Sequence, residues 1–396
     1  MRSPARQDRP PGEERDLAAF AARAAALWSG TRPESPRLVQ LAGDGSTRRV
    51  YRVLHAGLTA VAVAHPLPVG RAHPDENEGF LAVRAFLEQR GVRVPRLYAA
   101  DLERGYLLLE DLGDERLYER ARRSGWEARD GEVEHLYEEA IRMLVRIQAP
   151  GEPWFRTEWT SNPPYAEEFV VEMEARYFHT ELVRAMTART EAFGEIEGEC
   201  RLLARAALGG STAAFGAAGD GAPGDATATH SPTPAHFTFM HRDYQSRNLM
   251  IAGGALAVID FQGARWGPPE YDLAALLFDP YTAMPEGPRA RLVSLYRREA
   301  ARAGVRGVSA EERGAAGRAG GDAWRERFLA NAADRLMQAL GAYGKLGGRM
   351  KRPGFLEHIP QALLGLDEIL AALDRTPRLH ALVRELRAHA WPARPS

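Results

Sequence analysis

Met240-His241-Arg242-Asp243-Tyr244-Gln245-Ser246-Arg247-Asn248-Leu249-Met250 is the stretch from which the rest of the chain can be read. It sets a carboxylate, Asp243, a short fixed distance ahead of a carboxamide, Asn248. Phosphoryl transfer to a hydroxyl needs a carboxylate that orients and deprotonates the attacking group, and an amide oxygen nearby to hold magnesium. Asp243 and Asn248 have the residue types and spacing for those two roles. Further on, Leu256-Ala257-Val258-Ile259-Asp260-Phe261-Gln262 reads as a buried strand ending in a carboxylate. Asp260 is then the expected second magnesium ligand, between nucleotide phosphates. Each piece alone is weak, because carboxylates after strands and in turns are common caps. Their order and spacing together carry the reading.

The sequence upstream supports it. Leu38 to Leu41, Val50 to Leu54 and Leu58 to Ala64 read as strands, the first two joined by Gly43-Asp44-Gly45-Ser46-Thr47. Glu76 to Arg90 carries Phe80, Val83 and Leu87 at helical spacing, and Val94 to Tyr98 and Tyr106 to Glu110 read as two more strands. This strand, turn, strand, strand, helix, strand, strand order is that of a kinase N-lobe, and His-Arg-Asp with Asn five places on matches a kinase catalytic loop. The backbone N–H groups and hydroxyls of Gly43, Gly45, Ser46 and Thr47 can cap phosphates, or the segment can be a plain hairpin turn. Arg48 and Arg49 follow, as phosphate contacts or as solvated charges. Leu107 to Gly113 occupies the place of the hinge that binds adenine, which makes Glu110 and Leu112 nucleotide-side candidates, with helix capping the competing role for Glu110.

Downstream the pattern is mainly helical: Val133 to Gln148, Tyr165 to His179, Leu182 to Leu208, Trp324 to Tyr343, Pro360 to Leu373 and Pro377 to Ala390. Asp272, in Gly267-Pro268-Pro269-Glu270-Tyr271-Asp272, is placed as a helix N-terminal carboxylate that braces the catalytic loop together with His241. The expected organisation is a polar tail over 1–14, an N-lobe over 15–111 and a helical C-lobe over 112–396. The Gly, Ala, Ser, Thr and Pro-rich stretch 209–235 is read as a flexible insertion, and Gly304 to Gly321 as a second linker. The fold class is therefore α+β, a protein-kinase-like two-lobed fold with a small, mainly antiparallel β N-lobe and a larger helical C-lobe.

The composition excludes several other classes. At 396 residues, with 45% hydrophobic and 27% charged residues, the chain suits two packed lobes. A formal net charge of −1 offers no attraction to nucleic acid or to an anionic membrane. The single cysteine, Cys200, allows no internal disulfide and fits a reducing cytoplasm. Met1 to Glu14 lacks the apolar stretch of a signal peptide, and Leu17 to Trp28 reads as an amphipathic helix too short to span a bilayer.

These residues resemble the aminoglycoside phosphotransferase and choline kinase superfamily, and within it the bacterial anomeric kinases of N-acetylmuramate and N-acetylglucosamine. The likeness rests on Gly43 to Arg52, Val94 to Glu103, Leu107 to Gly113, His241 to Met250 and Ile259-Asp260-Phe261-Gln262 through Leu273. A weaker echo lies at Arg335 to Leu346. The resemblance implies ATP- and magnesium-dependent phosphorylation of an amino sugar at its anomeric hydroxyl, giving a sugar 1-phosphate for cell-wall recycling. It makes Tyr165, Glu168, Glu172 and Arg247 candidate substrate contacts, although Glu168 and Glu172 suit a solvated helix face equally well. Another small alcohol, aminoglycoside- or choline-like, is an alternative acceptor, and a non-catalytic nucleotide-binding scaffold is a further one. The chain departs from the general kinase pattern in one respect. Its third strand, Thr59 to His65, has no lysine for the nucleotide phosphates, and the only lysines are Lys345 and Lys351. Arg48 or Arg49 is the expected replacement, binding phosphate as a fork rather than as a point charge.

Overall fold

The computed structural model describes residues 13–29, 36–41, 48–65, 76–126, 131–160, 162–163, 165–210, 236–308 and 323–391. The expected glycine turn at Gly43, Gly45, Ser46 and Thr47, residues 1–12 of the expected 1–14 tail, most of the 209–235 insertion and residues 309–322 lie outside them, whereas Glu13 and Glu14 of that tail already belong to a helix.

The N-terminal half of the fold is a five-stranded, all-antiparallel sheet. Its strands are β1 (Arg37–Gln40), β2 (Arg49–His55), β3 (Leu58–Ala64), β4 (Leu97–Asp101) and β5 (Tyr106–Glu110), in the order β1-β2-β3-β5-β4. Alternation with period two divides these strands between two partners. Tyr51, Val53, Ala60, Ala62, Ala64, Tyr106 and Leu108 pack on Leu17, Phe20, Ala21 and Ala24 of helix α1 (Glu13–Ser29). Val63, Leu107 and Leu109 face the other way, onto Phe80, Val83, Phe86 and Leu87 of helix α2 (Glu76–Gln89). That second core runs without interruption into the helical half, so the two lobes share one apolar interior. The fourth strand starts at Leu97 rather than at the expected Val94, because Pro95 has no N–H to give a ladder.

The C-terminal half is built from helices α3 (Leu117–Ser124) and α4 (Glu132–Gln148), short α5 (Glu167–Val170) and α6 (Arg176–Phe178), and α7 (Gly194–Ala207). Helices α8 (Pro269–Leu277), α9 (Glu286–Arg302), α10 (Ala323–Tyr343), α11 (Ile359–Leu373) and α12 (Pro377–Ala388) complete it. The expected single helix over Leu182 to Leu208 is broken. π-Helical turns flank α6 and end at Arg184, and the chain is irregular before α7. The Thr187 hydroxyl donates to the Val183 carbonyl there, a local bond that competes with continued helix. Helix α10 is the central post, buried on nearly all sides. At its end Gly344 passes so close to the preceding π-helical segment that a Cβ would lie 2.2 Å from the Glu181 carbonyl oxygen.

Two small hairpins carry the loop of interest. β6 (Thr238–Met240) pairs with β9 (Arg265–Gly267), and β7 (Leu249–Ala252) pairs with β8 (Ala255–Val258). The second closes through Gly253 and Gly254, both at positive φ, as a two-residue turn between paired strands requires. No helix among the described residues is long and apolar enough to cross a membrane.

Candidate active site

The loop 241–248 leaves β6 and re-enters the sheet at β7, and its shape is held from below. Arg242 adopts φ 77° and Asp260 φ 64°, left-handed values that cost a non-glycine residue on the order of 1–3 kcal/mol. Asp272, fully buried in the first half of α8, offsets that cost for the loop. Its carboxylate accepts the backbone N–H of His241 at 2.6 Å and that of Arg242 at 2.8 Å. Burial pushes the Asp272 carboxyl up to about 7, against these two N–H groups and Arg335, which favour the anion. His241 is a second pin. Its Nε2–H donates to the Ile259 carbonyl at 3.1 Å, and its Nδ1 accepts the Asp243 N–H at 3.3 Å. That pairing suits only the neutral ring, and burial lowers the imidazole to about 4. Ser246 is anchored in turn, its N–H and hydroxyl both donating to buried Asp279.

With the loop fixed, the register of the β7–β8 hairpin sets the functional groups side by side. Leu249 pairs with Val258, and the Ile259 N–H donates to the Asn248 carbonyl at 3.0 Å. Asn248 therefore lies beside Asp260. Its Nδ2 donates to the Asp243 carbonyl at 2.8 Å and reaches Asp260 Oδ2 at 3.5 Å. With its nitrogen donating to these two oxygens, the Asn248 amide has its own oxygen as the hard atom it could offer a cation. No cluster of three or more His, Cys, Asp or Glu able to hold a metal occurs among the described residues. One amide oxygen and one carboxylate fit magnesium, which keeps water and phosphate ligands, better than an ion needing a complete protein cage. Gln262, where a protein kinase has glycine, donates its amide to Asp260 Oδ1. Asp243 itself stays partly open, its side chain 31% exposed.

The N-terminal half contributes an ion pair. Arg48 Nη2 lies 2.8 Å from Glu76 Oε1 at the start of α2, and His65 Nε2 lies 3.0 Å from the other oxygen of Glu76. The Arg48 side chain is only 9% exposed, and burial lowers its pKa while Glu76 and Asp260 act to raise it. Phe80 of α2 stacks on Phe261 with ring centroids 4.7 Å apart, which ties this pair to the turn after Asp260. Glu76 was not foreseen from the sequence; its only signal there is its place as the first residue of the helix after the lysine-free strand.

The other expected residues fall in several places. Arg49 opens β2 opposite Ala64. Glu110 accepts the Arg96 N–H at 3.2 Å, while Leu112 packs with Met250, Ala252, Ala257 and Ile259. Between the lobes, Arg52 binds both Asp111 and Asp114. Tyr165 is buried, and its hydroxyl donates to Glu174 at 3.2 Å. Glu168 is largely exposed and pairs with Arg201, and Glu172 pairs with Arg176 one turn on. The Arg247 guanidinium sits over the rings of Tyr118, Tyr281 and Phe355 at 5.5, 4.7 and 5.7 Å. A second residue that sequence reading did not assign, Arg335 of α10, comes within 3.5 Å of Asp243 Oδ1.

Residues 37–308 match the family described as "Phosphotransferase enzyme family". The chain is 26% identical over 358 residues to the N-acetylmuramate/N-acetylglucosamine kinase of Pseudomonas aeruginosa, covering 88% of each chain. It is 25% identical over 358 residues to the enzyme of the same name in Pseudomonas putida, covering 89% of each. The choline kinase structure of Cryptosporidium parvum superposes with a TM-score of 0.56 at 12% identity, over 95% of this chain and 99% of that one, and so shares the fold. The protein therefore belongs to the phosphotransferase enzyme family and is a small-molecule kinase with a protein-kinase-like fold.

Proposed function

We propose that the protein uses ATP and magnesium to phosphorylate the anomeric hydroxyl of N-acetylmuramate or N-acetylglucosamine. The observation that carries the catalytic part is the Asn248 amide, which ties the Asp243 backbone to the Asp260 carboxylate. The acceptor part is supported by the names of relatives matched over 88% and 89% of their length. In this reading Asp243, the more open carboxylate, takes the proton of the acceptor hydroxyl. Asn248 and Asp260 hold magnesium, which when bound screens the phosphate charge. Arg48, oriented by Glu76, takes the part of the missing lysine beside the phosphates. The apolar cluster of Leu112, Met250, Ala252, Ala257 and Ile259 lies where the segment after β5 meets the β7–β8 hairpin, and is the apolar side proposed for the adenine. The product would be a sugar 1-phosphate used in cell-wall recycling, made in the cytoplasm.

The test is phosphoryl transfer from ATP to N-acetylmuramate and N-acetylglucosamine, followed by phosphorus NMR, with kanamycin and choline as contrast acceptors. A sugar 1-phosphate is expected from the wild type. Asp243→Asn should lose about 10²–10⁴ in kcat with the KM for ATP within roughly threefold. Full turnover in that variant would falsify the role of Asp243. Transfer only to kanamycin or choline would reject the amino-sugar assignment while keeping the chemistry.

A further inference from the structure

Arg335 lies on α10, beyond residue 308 where the family match ends. It is 7% exposed, deep for a side chain that cannot shed its charge. Its Nη2 lies 3.5 Å from Asp243 Oδ1 and donates to Gln245 Oε1 at 2.9 Å, and its Nη1 donates to Gln338 on its own helix. The planar fork thus touches the carboxylate and a second side chain of the same loop from behind. No hydrogen bond is made to Asp243 Oδ2 among the described residues. Asp243 in turn acts electrostatically on His241 and Arg242 of its own loop and on Tyr271 and Asp272 of α8. Arg335, by contrast, is a cation brought to Asp243 from a separate element, α10.

Asp334 is wholly buried, with neither carboxyl oxygen hydrogen-bonded among the described residues, and it interacts with the equally buried Glu174. Glu174 accepts the hydroxyls of Tyr165 at 3.2 Å and Tyr271 at 2.9 Å. Burial raises both carboxyls, and the charge of Glu174 raises Asp334 further.

We propose that Arg335 is a positioning residue for phosphoryl transfer: its guanidinium holds Asp243 Oδ1 and Gln245 Oε1, so that Asp243 Oδ2 is presented to the acceptor hydroxyl. The inference rests on the reading of Asp243 as proton acceptor. A carboxylate free to rotate would spend most of its time out of line, a loss in turnover rather than in binding. The experiment is initial-rate kinetics on the full chain with ATP and N-acetylglucosamine or N-acetylmuramate, for the wild type, Arg335→Gln, Arg335→Lys and Asp243→Asn, with circular dichroism of each. Arg335→Gln should lower kcat about 30- to 300-fold with both KM values within roughly threefold, and Arg335→Lys should regain about tenfold of that loss. A kcat within roughly threefold of wild type in Arg335→Gln, or losses that appear mainly in KM, would overturn the proposal. If Arg335→Gln does not fold, Arg335→Lys decides: a reduced kcat with unchanged KM sustains the proposal, and wild-type kcat or failure to fold overturns it. Full turnover in Asp243→Asn, or no transfer by the wild type, removes the underlying reading and this inference with it. An inactive Asp243→Asn beside a wild-type-like Arg335→Gln removes this inference alone.

Discussion

Replacing Asp272 with Asn changes what holds the 241–248 loop and removes a buried titratable group in one step. The carboxylate accepts two backbone N–H groups at 2.6 and 2.8 Å in a site with no exposure. Burial opposes the charge and pushes the carboxyl up to about 7, while in the unfolded chain it titrates near ~3.9. A carboxyl raised in this way binds more protons folded than unfolded between those values, so its contribution to stability is largest at low pH and is lost as pH rises through about 7. Integrated from about pH 5 to about pH 8, that amounts to roughly 3 kcal/mol. Asn cannot titrate, so its stability lacks this component at both pH values. In urea melts, the stability of the wild type relative to Asp272→Asn should therefore fall by roughly 3 kcal/mol between about pH 5 and about pH 8. The amide also offers one acceptor oxygen where two N–H groups point, which costs a further ~1–3 kcal/mol at every pH. A difference that stays flat across this range would refute the reasoning. It would mean that the two N–H groups outweigh burial and keep Asp272 ionised throughout.

The Arg48–Glu76 pair predicts a coupled loss. Arg48→Met should weaken ATP binding by roughly tenfold and Glu76→Gln by about threefold, with the double variant no weaker than Arg48→Met, because Glu76 acts through the guanidinium. Calorimetric titration with ATP measures this, and unchanged affinity in Arg48→Met would remove Arg48 from the phosphate site. Gly344→Ala places a methyl 2.2 Å from the Glu181 carbonyl oxygen and should destabilise the fold by about 1–3 kcal/mol. An unshifted urea midpoint would show that the end of α10 is free to move away.

Much of the architecture was legible because it depends on local periodicity. The five strands are short apolar runs set off by turns, α2 carries Phe80, Val83 and Leu87 on one face, and Asp243, Asn248 and Asp260 stand in a short, ordered stretch. The break after Arg184 was not legible, since an apolar pattern of helical period does not show where a Thr187 hydroxyl takes a carbonyl from the ladder. Expectations for the substrate side were the least specific. Glu168 and Glu172 make ion pairs with Arg201 and Arg176, whereas Tyr165 is buried against Glu174.

By itself the sequence determined the two-lobed α+β pattern and the close order of Asp243, Asn248 and Asp260, because the residues that define them are neighbours along the chain. It also exposed the absence of a lysine on the third strand. Only the tertiary structure decided what surrounds the 241–248 loop. Glu76 meets Arg48, Asp272 meets the N–H groups of His241 and Arg242, and Arg335 meets Asp243 across 92 positions of sequence. The physical reason is that a buried charge is compatible with folding only beside a partner. Which partner lies within reach is set by how helices pack, and local sequence does not encode that distance.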